Sequence, residues 1–227
     1  MALAPFFPLL HPVLKTTFPG CLWAGCSERR EIALTFDDGP HPQYTFELLE
    51  VLDQYQIPAS FFWLGVCVER YPSVAQAVYQ KGHWLGLHGY YHLAFPRLSA
   101  VQFQQDLERT RQLIAQTCRL DPDLIRDVRP PNGLFTPQTL KLLSQWGYRS
   151  VMWSVVPEDW VLPGIPQVVG RVIRQTQNGS IIVLHDGYHG GSDVAQSANQ
   201  IIADLLDHGY TFVTINHLWQ TTLRNLG

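Results

Sequence analysis

A chain of 227 residues is long enough for one domain with a sizeable core, since α/β barrels often run to this length undivided. Hydrophobic residues make up 46% and charged residues only 15%, which excludes a disordered chain; a net charge of -3 with no run of Lys or Arg gives no electrostatic reason to expect nucleic acid. The 7 Trp and 9 Tyr permit stacking on sugar rings without indicating it, because such side chains also fill cores.

The first fourteen residues are apolar but are interrupted by Pro5, Pro8 and Pro12, follow no basic segment and are too short to span a bilayer. Neither a signal peptide nor a transmembrane helix is expected, and cytoplasmic location is the default, with export or membrane-surface association as the alternatives. Residues 1–30 read as an arm packed on a single domain spanning 31–223, with a membrane-surface contact through Phe6, Phe7, Leu9 and Leu10 as the alternative. From residue 31 onward short apolar runs alternate with longer amphipathic ones. The pattern predicts strands at 31–36, 59–63, 83–88, 125–129, 149–154, 180–185 and 211–215. Helices are predicted at 43–55, 72–81, 99–117, 136–146, 166–177 and 193–208. Strands joined by helical crossovers imply a parallel sheet, either doubly wound or closed with a strand missing; we expect an α/β fold, a distorted, incomplete (β/α) barrel of about seven parallel strands. Cys21, Cys26, Cys67 and Cys118 match no CxxC spacing, so free thiols are expected.

Reactive side chains collect at the C-terminal ends of the predicted strands. Asp37 and Asp38 follow the first, His88 and His92 the third, Arg129 ends the fourth, Asp159 lies beyond the fifth, and His185 with Asp186 ends the sixth. In a parallel barrel those ends share one face, the face on which active sites are built. The run IALTFDDGP delivers two adjacent carboxylates into a Gly-Pro turn, and neighbouring carboxylates repel unless a cation or a shared proton relieves them. A strand followed by a capped turn is the plainer reading of that segment alone. His88 and His92, four residues apart in HGYYH, can aim at one point, and either aspartate completes a two-histidine, one-carboxylate metal site. The other carboxylate is then free to act as a base. His185 is placed to act as a general acid, although a histidine closing a strand is often only structural. Arg129, stiffened by Pro130 and Pro131, can pair with a buried carboxylate. His41, His83, His189, His208 and His217 read as structural, with rim contact as the alternative for His41 and His189.

Together these motifs resemble the polysaccharide deacetylases of carbohydrate esterase family 4, the NodB homology domain, over roughly residues 31–216. The segment TFDDGP, Thr35 to Pro40, matches the first family motif in full. The resemblance implies Asp37 as catalytic base, Asp38 with His88 and His92 as metal ligands, Arg129 as the residue orienting the base, and His185 as general acid. It also places Asp159 and Trp160 on the fourth motif. Pro131 and Asn132 fall on the oxyanion and substrate-binding segment, Asn132 through its backbone N–H. Three positions depart from the pattern: Gly89 for Ser or Thr, Asn132 for an aromatic residue, and Val156 for an aspartate linked to the fifth-motif histidine. The last leaves two alternatives: Asp159 takes over as the partner of His185, or the pKa of His185 departs from the family norm.

The resemblance implies removal of N-acetyl groups from a GlcNAc-type saccharide, chitooligosaccharide or peptidoglycan, with a divalent metal, zinc expected and cobalt or nickel as alternatives. Trp153, Trp160 and Tyr188 are candidates to stack on the sugar. A non-heme iron oxygenase uses the same ligand types but on jelly-roll folds. The more serious alternatives are a catalytically silent carbohydrate-binding protein and an amidase or esterase acting on another acylated small molecule or acetylxylan. The oligomeric state is left open.

Overall fold

The computed structural model describes residues 7–224. Phe6, part of the alternative membrane-contact reading, lies outside the described residues. In chain order the elements are α1 (Phe7–Thr17), β1 (Cys21–Leu22), β2 (Glu31–Asp37), α2 (Tyr44–Tyr55), β3 (Ser60–Trp63), α3 (Gly65–Arg70), α4 (Pro72–Gln80), β4 (Trp84–Leu87) and α5 (Ala100–Cys118). They continue with β5 (Asp127–Val128), α6 (Pro137–Gln145), β6 (Arg149–Val151), α7 (Ile165–Gln175), β7 (Ile181–His185), α8 (Val194–Asp207), β8 (Thr211–Phe212) and α9 (Ile215–Arg224). All strand pairs are parallel. Seven strands run in the order β1-β6-β5-β4-β3-β2-β7, and β8 pairs with the first two residues of β2. The result is a curled half-barrel flanked by helices, as the alternation of strand and helix signals predicts.

The strand alternation decides which side chains face outward under the helices and which face into the half-barrel. On β2, Ile32, Leu34 and Phe36 join the outer core with Leu48, Leu49 and Leu52 of α2 and Ile201, Ile202 and Leu205 of α8. Ala33, on the other face, joins Phe62, Val151 and Ile181 in a second cluster that Ile215 and Leu218 of α9 complete. That cluster fills the lower part of the half-barrel. Two polar anchors hold α9 there: the Trp219 indole N–H donates to Asp127 at 2.9 Å, and the Ile215 N–H donates to Ser60 Oγ at 3.0 Å. Above the plug, Thr35 and Asp37 of β2 and Val183 and His185 of β7 continue the inner face, so the site sits on a packed floor.

The differences from the predicted elements have physical causes. β5 and β6 are shorter than expected because pairing stops where Arg129 and Met152 turn into loops that line the site. The expected strand 211–215 ends at Phe212, and Ile215 starts α9, whose apolar period is helical. Strand β1 lies within the stretch read as an arm and pairs with β6, Cys21 opposite Ser150. Phe7 and Leu14 of α1 pack toward Cys21, Trp23 and Met152, whereas Leu9, Leu10 and Val13 are exposed. Among the described residues no disulfide links the four cysteines. No helix among the described residues is long and apolar enough to cross a membrane.

Candidate active site

The first catalytic candidates are set by register. β2 and β7 are neighbours with Phe36 opposite Leu184 and Asp37 opposite His185, so the segments FDDG and LHDG leave the sheet side by side. Their glycines interlock. A Cβ on Gly39 would come within 2.4 Å of the Asp186 carboxylate, and one on Gly187 within 2.7 Å of Asp38. Side-chain-bearing residues would push the two acidic turns apart. Asp186 itself is fully buried; it accepts a 2.5 Å hydrogen bond from Thr45 Oγ1 through Oδ2, while its Oδ1 has no partner among the described residues. Burial, reinforced by Asp38 and Asp37, pushes the Asp186 carboxyl up to about 7.

Asp37 is 2% exposed and Arg129 is fully buried. The guanidinium donates to Asp37 Oδ1 at 2.6 Å, to Thr35 Oγ1 at 2.8 Å and to the Met152 carbonyl at 3.1 Å, and it lies over the Phe62 ring. The three bonds and the ring fix it in one orientation, which in turn fixes Asp37. Asp37 Oδ2 is left facing the site, 3.9 Å from His88 Nε2.

Asp38, His88 and His92 meet at one point. Their ligating atoms all lie within 4.8 Å of one another, with Asp38 Oδ1 3.5 Å from His88 Nε2 and 3.4 Å from His92 Nε2. Asp38 and His92 both adopt left-handed backbone, φ 73° and 60°, which aims their side chains inward at the expense of local strain. Whether this trio fits a cation can be decided from the protons. His88 Nδ1 lies 2.7 Å from the Arg129 carbonyl, an atom that can only accept, so Nδ1 carries the hydrogen and Nε2 presents a lone pair to the site. Burial holds the His88 pKa below the ordinary histidine value against the pull of Asp37 and Asp38, in keeping with a neutral ring. A bare lone pair thus faces Asp38 Oδ1, which is buried and has no hydrogen-bond partner among the described residues. Two acceptors opposed in a buried place are unfavourable without a cation between them, and nitrogen and carboxylate donors suit a divalent metal.

On the opposite side, His185 Nδ1 lies 2.9 Å from Asp159 Oδ1, and the His185 backbone N–H donates to Asp159 Oδ2 at 2.7 Å. Burial alone would lower the His185 pKa, but Asp159 overrides it and raises the ring to about 9. Val156 is buried, with its N–H directed to Gln175, so Asp159 takes the position beside the histidine.

A cavity of about 450 Å³ joins these groups. Asp37, Asp38, His88, His92 and His185 line it together with Asn132, Trp160 and His189. Asn132 sits in a tight turn with φ 57°, held by the Gly133 and Leu134 N–H groups bonding to the Pro130 and Pro131 carbonyls. Pro131 is buried beneath this turn and does not line the cavity. Tyr188 lines an adjoining cavity and bonds through its hydroxyl to Tyr71 at 2.7 Å. His41, read as structural with rim contact as the alternative, is buried and stacks on Tyr44. Val183 lines the cavity but drew no attention in the sequence; its position two residues before His185 on the same strand face was the available signal. Thr35, two residues before Asp37, was legible in the same way. Gly89, a departure from the motif, has φ 80° and a Cβ there would lie 3.0 Å from Asp106 Oδ1, so the loop favours glycine.

Residues 24–151 match the sequence model of the family described as polysaccharide deacetylase. Among curated proteins, a peptidoglycan-N-acetylglucosamine deacetylase of Bacillus cereus is 33% identical over 198 residues, covering 86% of this chain and 91% of that protein. A chitooligosaccharide deacetylase of Bradyrhizobium is 34% identical over 167 residues, 74% of this chain and 75% of the relative. A crystal structure of a peptidoglycan N-acetylglucosamine deacetylase superposes with a TM-score of 0.84 at 26% identity, covering 92% of this chain and 97% of the other.

Proposed function

Because the chain belongs to the polysaccharide deacetylase family and is a hydrolase of N-acetyl amide bonds, we propose that it removes acetyl groups from GlcNAc-type saccharides, peptidoglycan or chitooligosaccharide, in a metal-dependent reaction at this cavity. The observation that carries the reading is the opposed lone pairs of Asp38 and His88 beside a carboxylate, Asp37, that Arg129 holds in place.

Asp38, His88 and His92 are the residues that would hold the metal, with zinc the first candidate for a two-histidine, one-carboxylate set. When bound, such a cation supplies Lewis-acid polarisation and makes water a competent nucleophile at neutral pH. The rest is the work of the chain. Asp37, fixed by Arg129 through Oδ1, accepts through Oδ2 the proton of the water that attacks the acetyl carbonyl carbon. The Asn132 N–H, held at the wall by the left-handed turn, donates to the developing oxyanion, a type of contact worth about 3–4 kcal/mol when lost. His185, cationic below about pH 9, passes its proton to the departing nitrogen as the C–N bond breaks, giving acetate and a free amine. Asp159 orients the ring and favours its charged form. Val183 and Trp160 offer apolar surface for the acetyl methyl group, and Trp160 and Tyr188 offer faces for sugar rings.

The test is acetate release from N-acetylglucosamine oligomers and peptidoglycan fragments by the metal-loaded protein, before and after chelation. Chelator-sensitive release restored by zinc, cobalt or nickel supports the reading, and its absence on every glycan contradicts it.

A further inference from the structure

A second cavity of about 250 Å³ opens beside the first and shares Asp38, His92 and His189 with it. Its walls are unlike those of the main site. Leu64, Val66 and Cys67, from the start of α3, form an apolar side, and Arg70 and Tyr188 provide the polar groups away from the shared residues. Burial pushes the Cys67 thiol up to about 11, so it acts there as a neutral apolar surface. Tyr188 is fixed by its hydroxyl bond to Tyr71 and by edge contact with the His41 ring. Arg70 lies near the Tyr71 ring, its carbon 5.5 Å from the centroid, and forms no ion pair among the described residues. An unpaired guanidinium next to an apolar pocket that continues a glycan-sized cavity is a ready counter-charge for a carboxylate.

We propose that this side cavity is a subsite for a carboxylate-bearing substituent of the glycan, with Arg70 as the residue that recognises it. The inference rests on the deacetylase reading above and deepens it. A chain of neutral N-acetylglucosamine has no carboxylate to offer Arg70, whereas a peptidoglycan strand carries one on the muramic lactyl group where no peptide is attached and on the peptide stem where one is. Arg70 thus acts on substrate choice and not on the chemical step, because the side cavity meets the reacting groups only through Asp38, His92 and His189.

The experiment compares initial rates of acetate release by the zinc-loaded protein and its Arg70→Gln and Arg70→Lys variants. Four substrates are used: a chitooligosaccharide, a peptide-free peptidoglycan oligosaccharide, the same oligosaccharide with its lactyl carboxylates methyl-esterified, and a peptide-bearing fragment. The last separates lactyl from stem recognition. We expect Arg70→Gln to lower kcat/KM about tenfold on a carboxylate-bearing glycan, to leave the chitooligosaccharide unchanged, and to be mimicked by esterification, with Arg70→Lys recovering part of the loss. Equal rates on free-acid, esterified and peptide-bearing glycans, or an equal loss on the neutral oligomer, overturn the subsite while leaving the deacetylase reading intact. No acetate from any substrate overturns the deacetylase reading and the subsite with it.

Discussion

Asp159→Asn is the substitution whose consequences the site geometry fixes most closely. The carboxylate meets His185 twice, at 2.9 Å on the ring and 2.7 Å on the backbone, so the amide preserves the shape and removes the charge. Against the opposing effect of burial, Asp159, with smaller help from Asp38 and Asp37, carries the His185 pKa from 6.5 to about 9. That step corresponds to roughly 3 kcal/mol in favour of the imidazolium over the neutral ring. At pH 8 a ring titrating near the ordinary value holds on the order of thirtyfold fewer protons than one titrating near 9. The variant is therefore expected to lose acetate release most steeply between pH 7 and 9 and least near pH 6, its alkaline limb moving toward acid. Stability follows the same sign. A pKa raised on folding stabilises the protein fully below the unfolded value near 6.5 and ceases to do so as pH rises through about 9. The melting temperature of Asp159→Asn should accordingly fall furthest below wild type at about pH 6 and converge with it above about pH 9. Rate profiles from pH 5.5 to 9.5 and parallel melting curves provide the assay. An alkaline limb unmoved by the substitution would refute the assignment of Asp159 as the partner that charges His185.

Three further outcomes follow from the packing. Arg129→Met strands the Asp37 carboxylate in a buried place and should cost about 3–5 kcal/mol in urea unfolding, part of it recovered in Arg129→Met/Asp37→Asn, because a buried pair broken on one side leaves an unpaired charge. Gly39→Ala drives a methyl group toward the Asp186 carboxylate and should destabilise by about 1–3 kcal/mol, whereas alanine at Gly82, where nothing lies within 4 Å but φ is 82°, tests the cost of left-handed backbone alone. Asp38→Ala should abolish stoichiometric zinc uptake and the rise in melting temperature on zinc addition, both measurable without substrate.

The sequence was most legible where chemistry and period coincide. Asp37 and His185 end apolar runs whose alternation predicts strands, and the shared C-terminal face of a parallel sheet follows from the crossovers. That reasoning brings distant aspartates and histidines together without knowledge of register. What it could not supply was the pairing across strands. The interlock of Gly39 with Asp186 and Gly187 with Asp38 depends on β7 lying beside β2, a neighbour relation that no local pattern encodes. β1 was missed because a two-residue strand has too little period to detect, and α3 because its six residues follow β3 without a break in apolar character. Val156 drew attention as a missing aspartate with Asp159 as one candidate replacement, and in the fold the carboxylate beside His185 is Asp159, three residues further along on a 3-10 turn. Motif spacing alone does not say which of two nearby positions reaches a given ring.

The most direct measurement is acetate release from an N-acetylglucosamine oligomer by the purified protein, run as isolated, after chelation, after zinc add-back, and with Asp37→Asn loaded to the same zinc content. The account predicts release that disappears on chelation, returns with zinc, and falls by about a hundredfold or more in folded Asp37→Asn at wild-type zinc content. Undiminished release from the chelated protein, or full activity in zinc-loaded Asp37→Asn, would contradict it.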